Sequence, residues 1–416
     1  MTHWLRNRFK GWLILAVVSS LTGACFQEIP LQERVDRLLQ RGETGQALKL
    51  LENRILDQPT DWSAQDLLVQ VLLRTDRADD ALRAYADRWA EGGPDSPTLF
   101  REVAISLVRQ ALRDGDGLVR TRAAAALAAW GAPDLLPVLR EALAAQDGSV
   151  RALAAQGLGG LSGEEAGRLL RDALTDPEAA VRTAAVAGLA ARGSTDTRGL
   201  MRLALKDPSP QVRIQAAAGL ARMGEPGALG QLANFLSDRN DSIRMQTAEA
   251  LGKLGMPEGI PVLRPGLKDG NPYVRIYAGE ALVRLGDPNG RGALLGALNQ
   301  PNQSVAMYAA EALSNLGDAA GSERLANALA PEKDASVRLY AVWTLARLGD
   351  LRGQGVIEEL LQDPDVYVRM QAIWTLGQLP NGTGLHELRR SVQDSAQPAR
   401  WQAAWSLAMR LEAKAR

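Results

Sequence analysis

Acid–base, nucleophilic and metal chemistry draws mostly on histidine, cysteine and clustered acids, and the first two are scarce here. The 416 residues hold two histidines, His3 and His386, and one cysteine, Cys25. His3 falls in the N-terminal signal-like segment, and His386 alone does not reliably support a nucleophile–His–acid set or a transition-metal site of imidazoles. A single cysteine allows no disulfide within the chain. The glycines follow helical stretches and form no strand–loop–helix phosphate cradle. Glu249, Glu280 and Glu311 recur at a constant step, but no histidine accompanies them. The pattern therefore predicts no catalytic residue, metal or cofactor. What the chain does supply in series is arginine with aspartate, and tyrosine with tryptophan.

The arginines follow a hydrophobic mark. Val119, Val150, Val181, Val212, Ile243 and Val274 succeed one another at a 31-residue step, each followed by Arg. Val305 keeps the step but is followed by Ala306, Val337 comes one position late, and Val368 and Ala399 resume the 31-residue step. An aspartate stands six residues before most of these arginines, as in Asp176/Arg182, Asp207/Arg213, Asp238/Arg244, Asp269/Arg275 and Asp363/Arg369. Ala145 stands there before Arg151, and the repeat with Ala306 has Gln300 and so neither partner. A planar guanidinium fork suits a carboxylate as it suits a phosphate. Because nearly every arginine comes with its own acid, the series reads as structural, each Arg paired with the acid six residues earlier. Basic and acidic residues number 48 each, and the absence of basic runs argues against nucleic acid as a partner.

A fixed period of this size belongs to stacked supersecondary units. Leu and Ala dominate, so the units are helical and the fold is all-α. Asp116, Asp147, Ser209, Asn240, Asn271, Asn302, Asp334 and Asp365 precede the mark by three residues and suit helix N-caps. Glycines such as Gly131 and Gly193 come twelve residues after it and suit left-handed helix ends. Ala at four and Leu at eight residues after the mark form a core face. Positions three and six lie on another face. They read Gln215, Gln246, Tyr277, Tyr308, Tyr340, Gln371, Gln402 and Glu249, Glu280, Glu311, Trp343, Trp374, Trp405. With adjacent helices about 10 Å apart, the rings would form an aromatic ladder along a groove, from Tyr277 to Trp405. Such rings combine apolar area with a polar handle; the competing reading packs them between helices. Lys253 and Arg284 lie four residues after Glu249 and Glu280 and can neutralise them within their own helices.

The N-terminal part departs from the period. Residues 1–24 hold Arg6, Arg8, Lys10, an apolar run from Trp12 to Leu21, and small residues before Cys25. This is the order of a secretory signal, and the run is shorter than the ~20 residues that span a bilayer. Residues 25–30 form a tether. In residues 31–97, Gly42–Leu48 is echoed by Asp76–Leu82 at an offset of 34. Gly92-Gly93-Pro94 then marks a boundary to residues 98–416.

The repeated second helix resembles HEAT repeats, particularly the short type of phycobilin lyase subunits and deoxyhypusine hydroxylase. That resemblance implies about ten two-helix repeats in a right-handed α-α superhelix, with second helices on the concave face and an Asp–Arg ladder between repeats. The hydroxylase's metal-binding His-Glu pairs are not matched, since only the glutamates are present. Residues 31–97 resemble tetratricopeptide hairpins, although Val35 and Val69 replace the glycine of each first helix. The start resembles a bacterial lipoprotein signal, with Thr22 three before the Cys where a large aliphatic is usual. It implies lipidation at Cys25, and Phe26 after it favours the outer membrane, facing the periplasm. Ordinary cleavage and an uncleaved anchor are the alternatives. Together these features predict a lipid-anchored envelope scaffold, non-catalytic, binding a protein or extended peptide in the groove. A glycan-binding protein and a lyase-type accessory subunit are the rival expectations.

Overall fold

The structure, a computed structural model, describes residues 29–193, 195–379 and 384–415. The expected signal, Cys25 and most of the expected tether lie outside these. Among the described residues the chain is all-helical, and no helix is long and apolar enough to cross a membrane. Helices α1 (Leu31–Gln40), α2 (Thr44–Asp57), α3 (Trp62–Arg74) and α4 (Ala78–Ala90) form two hairpins. Ten helix pairs follow: α5 (Pro97–Ala111) with α6 (Gly117–Trp130), α7 (Leu136–Leu143) with α8 (Gly148–Gly160), α9 (Glu164–Asp172) with α10 (Ala179–Arg192), α11 (Thr195–Ala204) with α12 (Pro210–Arg222), and α13 (Ala228–Phe235) with α14 (Asp241–Leu254). The series continues with α15 (Ile260–Leu263) and α16 (Pro272–Arg284), α17 (Asn289–Leu298) and α18 (Gln303–Asn315), α19 (Ala319–Asn327) and α20 (Ala335–Arg347), α21 (Gln354–Leu360) and α22 (Val366–Gln378), and α23 (Leu385–Ser391) and α24 (Gln397–Ala415).

The punctuation of the sequence builds these helices. The Asp116 carboxylate accepts from the Leu118 amide, and Asp147, Asn240, Asn271, Asn302, Asp334 and Asp365 cap their helices in the same way. Ser209 does not, because its hydroxyl bonds the Gln211 side chain. Gly131 and Gly193 end α6 and α10 at φ 59° and 63°, backbone that an L side chain would strain. The Ala and Leu positions after the mark are buried, as at Ala123, Leu127, Ala154 and Leu158. Gly159 and Gly188 bring α8 and α10 together, since a Cβ on Gly159 would stand 2.9 Å from the Gly188 Cα.

Consecutive second helices, α18 and α20 apart, pack directly on one another, while consecutive first helices touch only in places. The second helices therefore lie on the inside of the curve. The curve closes, which the repeat pattern does not predict. Helix α24 packs against α5 and α6, at the other end of the solenoid. Among the described residues, three polar contacts join the two ends: Arg400 to Asp79 at 3.1 Å, Arg389 to Asp95 at 2.6 Å, and the Tyr367 hydroxyl donating to Asp116 at 2.7 Å. Arg389 also lies over the Trp89 ring, 5.1 Å from its centroid. Trp401 and Trp405 are buried at this closure. One core runs through it, uniting Val35–Leu282 with Val342–Leu411.

The weak place is elsewhere. Two separate small cores, around Leu294 and Leu313 and around Leu325 and Leu345, serve the seam from α16 to α20. Helices α18 and α20 meet less than any other consecutive inner pair. This is the repeat lacking Arg at Ala306 and the place of the 32-residue step.

Candidate functional site

The arginine ladder differs from its sequence reading by one repeat. Apart from Arg338, each ladder arginine gives its Nη1 to the backbone carbonyl of the residue six before it, as Arg182 does to Asp176 at 2.8 Å. The carboxylate it grips lies in the next repeat downstream. Arg151 holds Asp176 at 2.8 and 2.9 Å, Arg182 holds Asp207 at 2.8 and 2.9 Å, Arg244 holds Asp269 at 2.7 and 2.9 Å, and Arg369 holds Asp394 at 2.9 Å twice. Arg151, which has Ala145 before it, is thus paired. The missing acid is felt by Arg120, which turns to the cap residue Asp147 at 3.1 Å. The displacement follows from geometry: Asp176 uses its backbone carbonyl within its own loop, leaving its carboxylate facing the preceding repeat. These bonds from arginine hold the carboxyls of Asp176, Asp207 and Asp269 below the usual carboxylate range.

Other expected members depart further. Arg213 bonds the Asp207 and Pro208 carbonyls and lies over Phe235, with no bond to Asp238, whose Oδ1 accepts from the Asn240 amide. Arg275 bonds only the carbonyls of Asp269 and Gly270, because Gln300 stands where its acid would be. Arg338 grips Glu359 at 2.6 and 2.9 Å, leaving Asp363 to serve Arg369 through its carbonyl. Arg400 completes the series on Asp79 of α4. These arginines hold the scaffold, not a ligand.

Positions three and six do line the inner face. A cavity of about 240 Å³ is bounded by Glu249, Tyr277, Glu280, Tyr308, Glu311 and their neighbours. Next to it a wider groove of about 850 Å³ runs over α8 to α14, lined by alanines with Gln156, Gln211, Gln215 and Gln246. The glutamates are matched by local cations: Lys253 to Glu249 and Arg284 to Glu280, both at 2.6 Å, and Arg347 to Glu311 at 2.9 Å. Tyr340 donates to Glu311 as well. Burial, reinforced by Glu249, pushes Tyr277 up to about 12, and burial with the Glu311 bond raises Tyr340. Both phenols stay protonated at neutral pH, and Tyr340 acts as a donor.

The aromatic run takes a different path from the predicted one. Tyr273 meets Tyr308 at 5.4 Å, Tyr308 meets Tyr340 at 5.9 Å, and Tyr340 meets Trp343 at 6.2 Å, with Arg347 stacked on Trp343 at 4.9 Å. Tyr308 is 41% exposed. Beyond Trp343 the tryptophans do not continue the run. Trp374 is half-buried against the core, and Gln371 is half-buried. Trp405 and Gln402 are fully buried and lie outside any groove, because closure packs α24 against α5 and α6. Tyr273, one residue before the mark, falls outside positions three and six; its aromatic type is the signal that could have found it. Among the described residues no three of His, Cys, Asp and Glu converge to hold a metal ion.

Residues 105–190, 141–204, 197–272, 260–331 and 322–408 match the family model of HEAT repeats, and the chain belongs to that family. No curated protein matches it. Among solved structures, human deoxyhypusine hydroxylase in complex with glycerol is similar at 23% identity over 60% of this chain and 96% of its own, with a TM-score of 0.33. The complex of CpcE and CpcF of phycocyanin lyase from Nostoc sp. PCC7120 is similar at 22% identity over 69% of this chain and 95% of that chain, TM-score 0.34. An engineered protein shares 19% identity over 74% of this chain and 99% of its own, TM-score 0.28.

Proposed function

We propose that the protein is a lipid-anchored scaffold of the bacterial cell envelope that binds a protein partner on the inner face of its ring of HEAT repeats. HEAT repeats commonly mediate protein–protein interaction. The observation that carries the reading is the run Tyr273–Tyr308–Tyr340–Trp343 beside the cavity over Glu249, Glu280 and Glu311. Rings with hydroxyl or indole handles, held rigidly on helices, suit a polypeptide at low entropic cost. A glycan is the second reading, since carboxylates here do lie beside aromatic rings. It is the weaker one, because those carboxylates already accept from Lys253, Arg284 and Arg347.

Capture from detergent-solubilised envelope tests it, comparing the wild type with Tyr308→Ala/Trp343→Ala. Loss of a partner protein in the variant is expected, and equal retention by both sinks the reading. Fatty-acid labelling that persists in Cys25→Ser would overturn the anchor.

A further inference from the structure

Arg122 stands three residues after Val119, the register position of Gln215 and Gln246 in the wide groove and of Tyr277 and Tyr308 in the cavity. It is half-buried, and no carboxylate, carbonyl or ring among the described residues takes its guanidinium. The ladder arginines all have such partners. Burial is the one influence on it and pushes its pKa down. A desolvated cation without a counter-charge costs stability.

A helix packed on α6 carries unpartnered groups of its own. Helix α24, which packs against α6, carries Gln402 at the same register position. Gln402 is fully buried with an Oε1 that accepts nothing, and the buried Trp405 Nε1 donates to nothing. Buried polar groups without partners are uncommon in folded proteins. On the other side of α6, helix α8 begins the wide groove with Leu153 and Gln156. The groove's charged lining is Arg222, Lys253 and Glu249, of which the last two pair, so it is net positive. Its four inner helices, at about 10 Å spacing, span about 30 Å, the reach of about nine extended residues. Glutamine side chains offer both a donor and an acceptor to a peptide backbone. Helix α6 packs on α8, where the groove starts, and on α24 of the closure, so it stands between the groove and the packed closure.

We infer that the alanine- and glutamine-lined half of the inner face holds the C-terminal segment of a partner polypeptide in extended form, its terminal carboxylate seated on Arg122. This rests on the reading of the inner face as a polypeptide site, and deepens it. The guanidinium fork matches a carboxylate with two parallel bonds, and the bound anion removes the cost of the unpaired charge.

The test uses the full chain, immobilised from detergent, and a pool of random decapeptides prepared with free C-termini or capped as carboxamides. The wild type is expected to retain the free pool at least about tenfold over the capped one, and Arg122→Met to lose that preference. Arg122→Met is also expected to melt no lower than the wild type, whereas the ladder variant Arg151→Met melts lower. Equal retention of both pools, retention of the free pool by Arg122→Met, or a melting loss as large as that of Arg151→Met would overturn the inference. Loss of a retained capped pool in Arg122→Met would point to an acidic side chain and overturn the terminal assignment. If Tyr308→Ala/Trp343→Ala alone loses the peptides, the polypeptide reading stands and the role of Arg122 falls. If neither pool is retained, the inference falls and envelope capture decides the broader reading.

Discussion

Asp176→Ala removes the carboxylate that Arg151 grips with bonds of 2.8 and 2.9 Å. Both side chains are 13% exposed, so solvent screens the pair only slightly. Breaking a buried pair from one side costs about 3–5 kcal/mol. Arg151 retains its bonds to the Ala145 and Gln146 carbonyls, which brings the expected loss to about 2–3 kcal/mol. Part of that is the bond from the Glu178 amide to the lost carboxylate, so the single variant does not isolate the pair. A double-mutant cycle does. Asp176→Ala with Arg151→Met should give a coupling of about 1.5–3 kcal/mol. Asp176→Ala with Arg182→Met should couple by under about 0.5 kcal/mol, because Arg182 holds the Asp176 backbone carbonyl, which the substitution leaves in place. Urea denaturation at pH 7, followed by far-ultraviolet circular dichroism, measures both cycles. A coupling to Arg182 that equals or exceeds that to Arg151 would refute the displaced pairing and restore the reading of an acid paired within its own repeat.

Gln300→Asp should stabilise the chain by about 1 kcal/mol in the same assay, because it places a carboxylate at the ladder position that serves the acid-less Arg275; no gain would mean that the ladder register slips at the seam. Stability should fall as the pH drops through and below about 4. Asp176, Asp207 and Asp269 have depressed folded-state pKa values, so their contribution is full above the unfolded value and is lost as they protonate; a pH titration of the urea midpoint reads this, and a flat profile contradicts it. Trp405→Ala should cost about 3–5 kcal/mol as a core deletion, while Trp343→Ala, at a half-buried ring, should cost less, about 1–2 kcal/mol; unfolding midpoints that rank the two the other way would return Trp405 to the groove. Deleting residues 397–416 should enlarge the radius in small-angle scattering and increase binding of an apolar dye, because α5 loses its cover; an unchanged radius would argue against closure.

The repeat, its caps and its core face are readable in the sequence because each is a local property of one unit. Asp116 and Gly131 do at their positions what short polar residues and glycine do at helix ends anywhere. The inner face is readable in part, since a constant step places Tyr277, Tyr308, Glu280 and Glu311 together without knowledge of the curve. The ladder pairing is not, because spacing cannot tell a backbone carbonyl from a carboxylate as the partner of Arg182. Trp405 escapes for a different reason. Its register is that of Trp343, and its burial depends on α5, at the far end of the repeat array, meeting α24. Small rotations accumulated over ten repeats decide that meeting, and no single unit encodes it. The looser stacking at Val305 is foreseeable because a missing Arg, a missing Asp and a 32-residue step coincide there.

An open solenoid can gain or lose a unit and remain a solenoid of another length, because each unit contacts only its neighbours. Fastening Arg400 to Asp79 and Arg389 to Asp95 removes that freedom. Excising one repeat would pull the two ends apart by the spacing of a helix pair, about 10 Å, and inserting one would force them past each other. In-frame duplication and loss, the ordinary way repeat arrays diversify, would here be selected against, and related chains that keep the closure should keep the number ten. Variation would instead collect in the side chains facing inward, where it alters what the ring holds without altering whether it shuts.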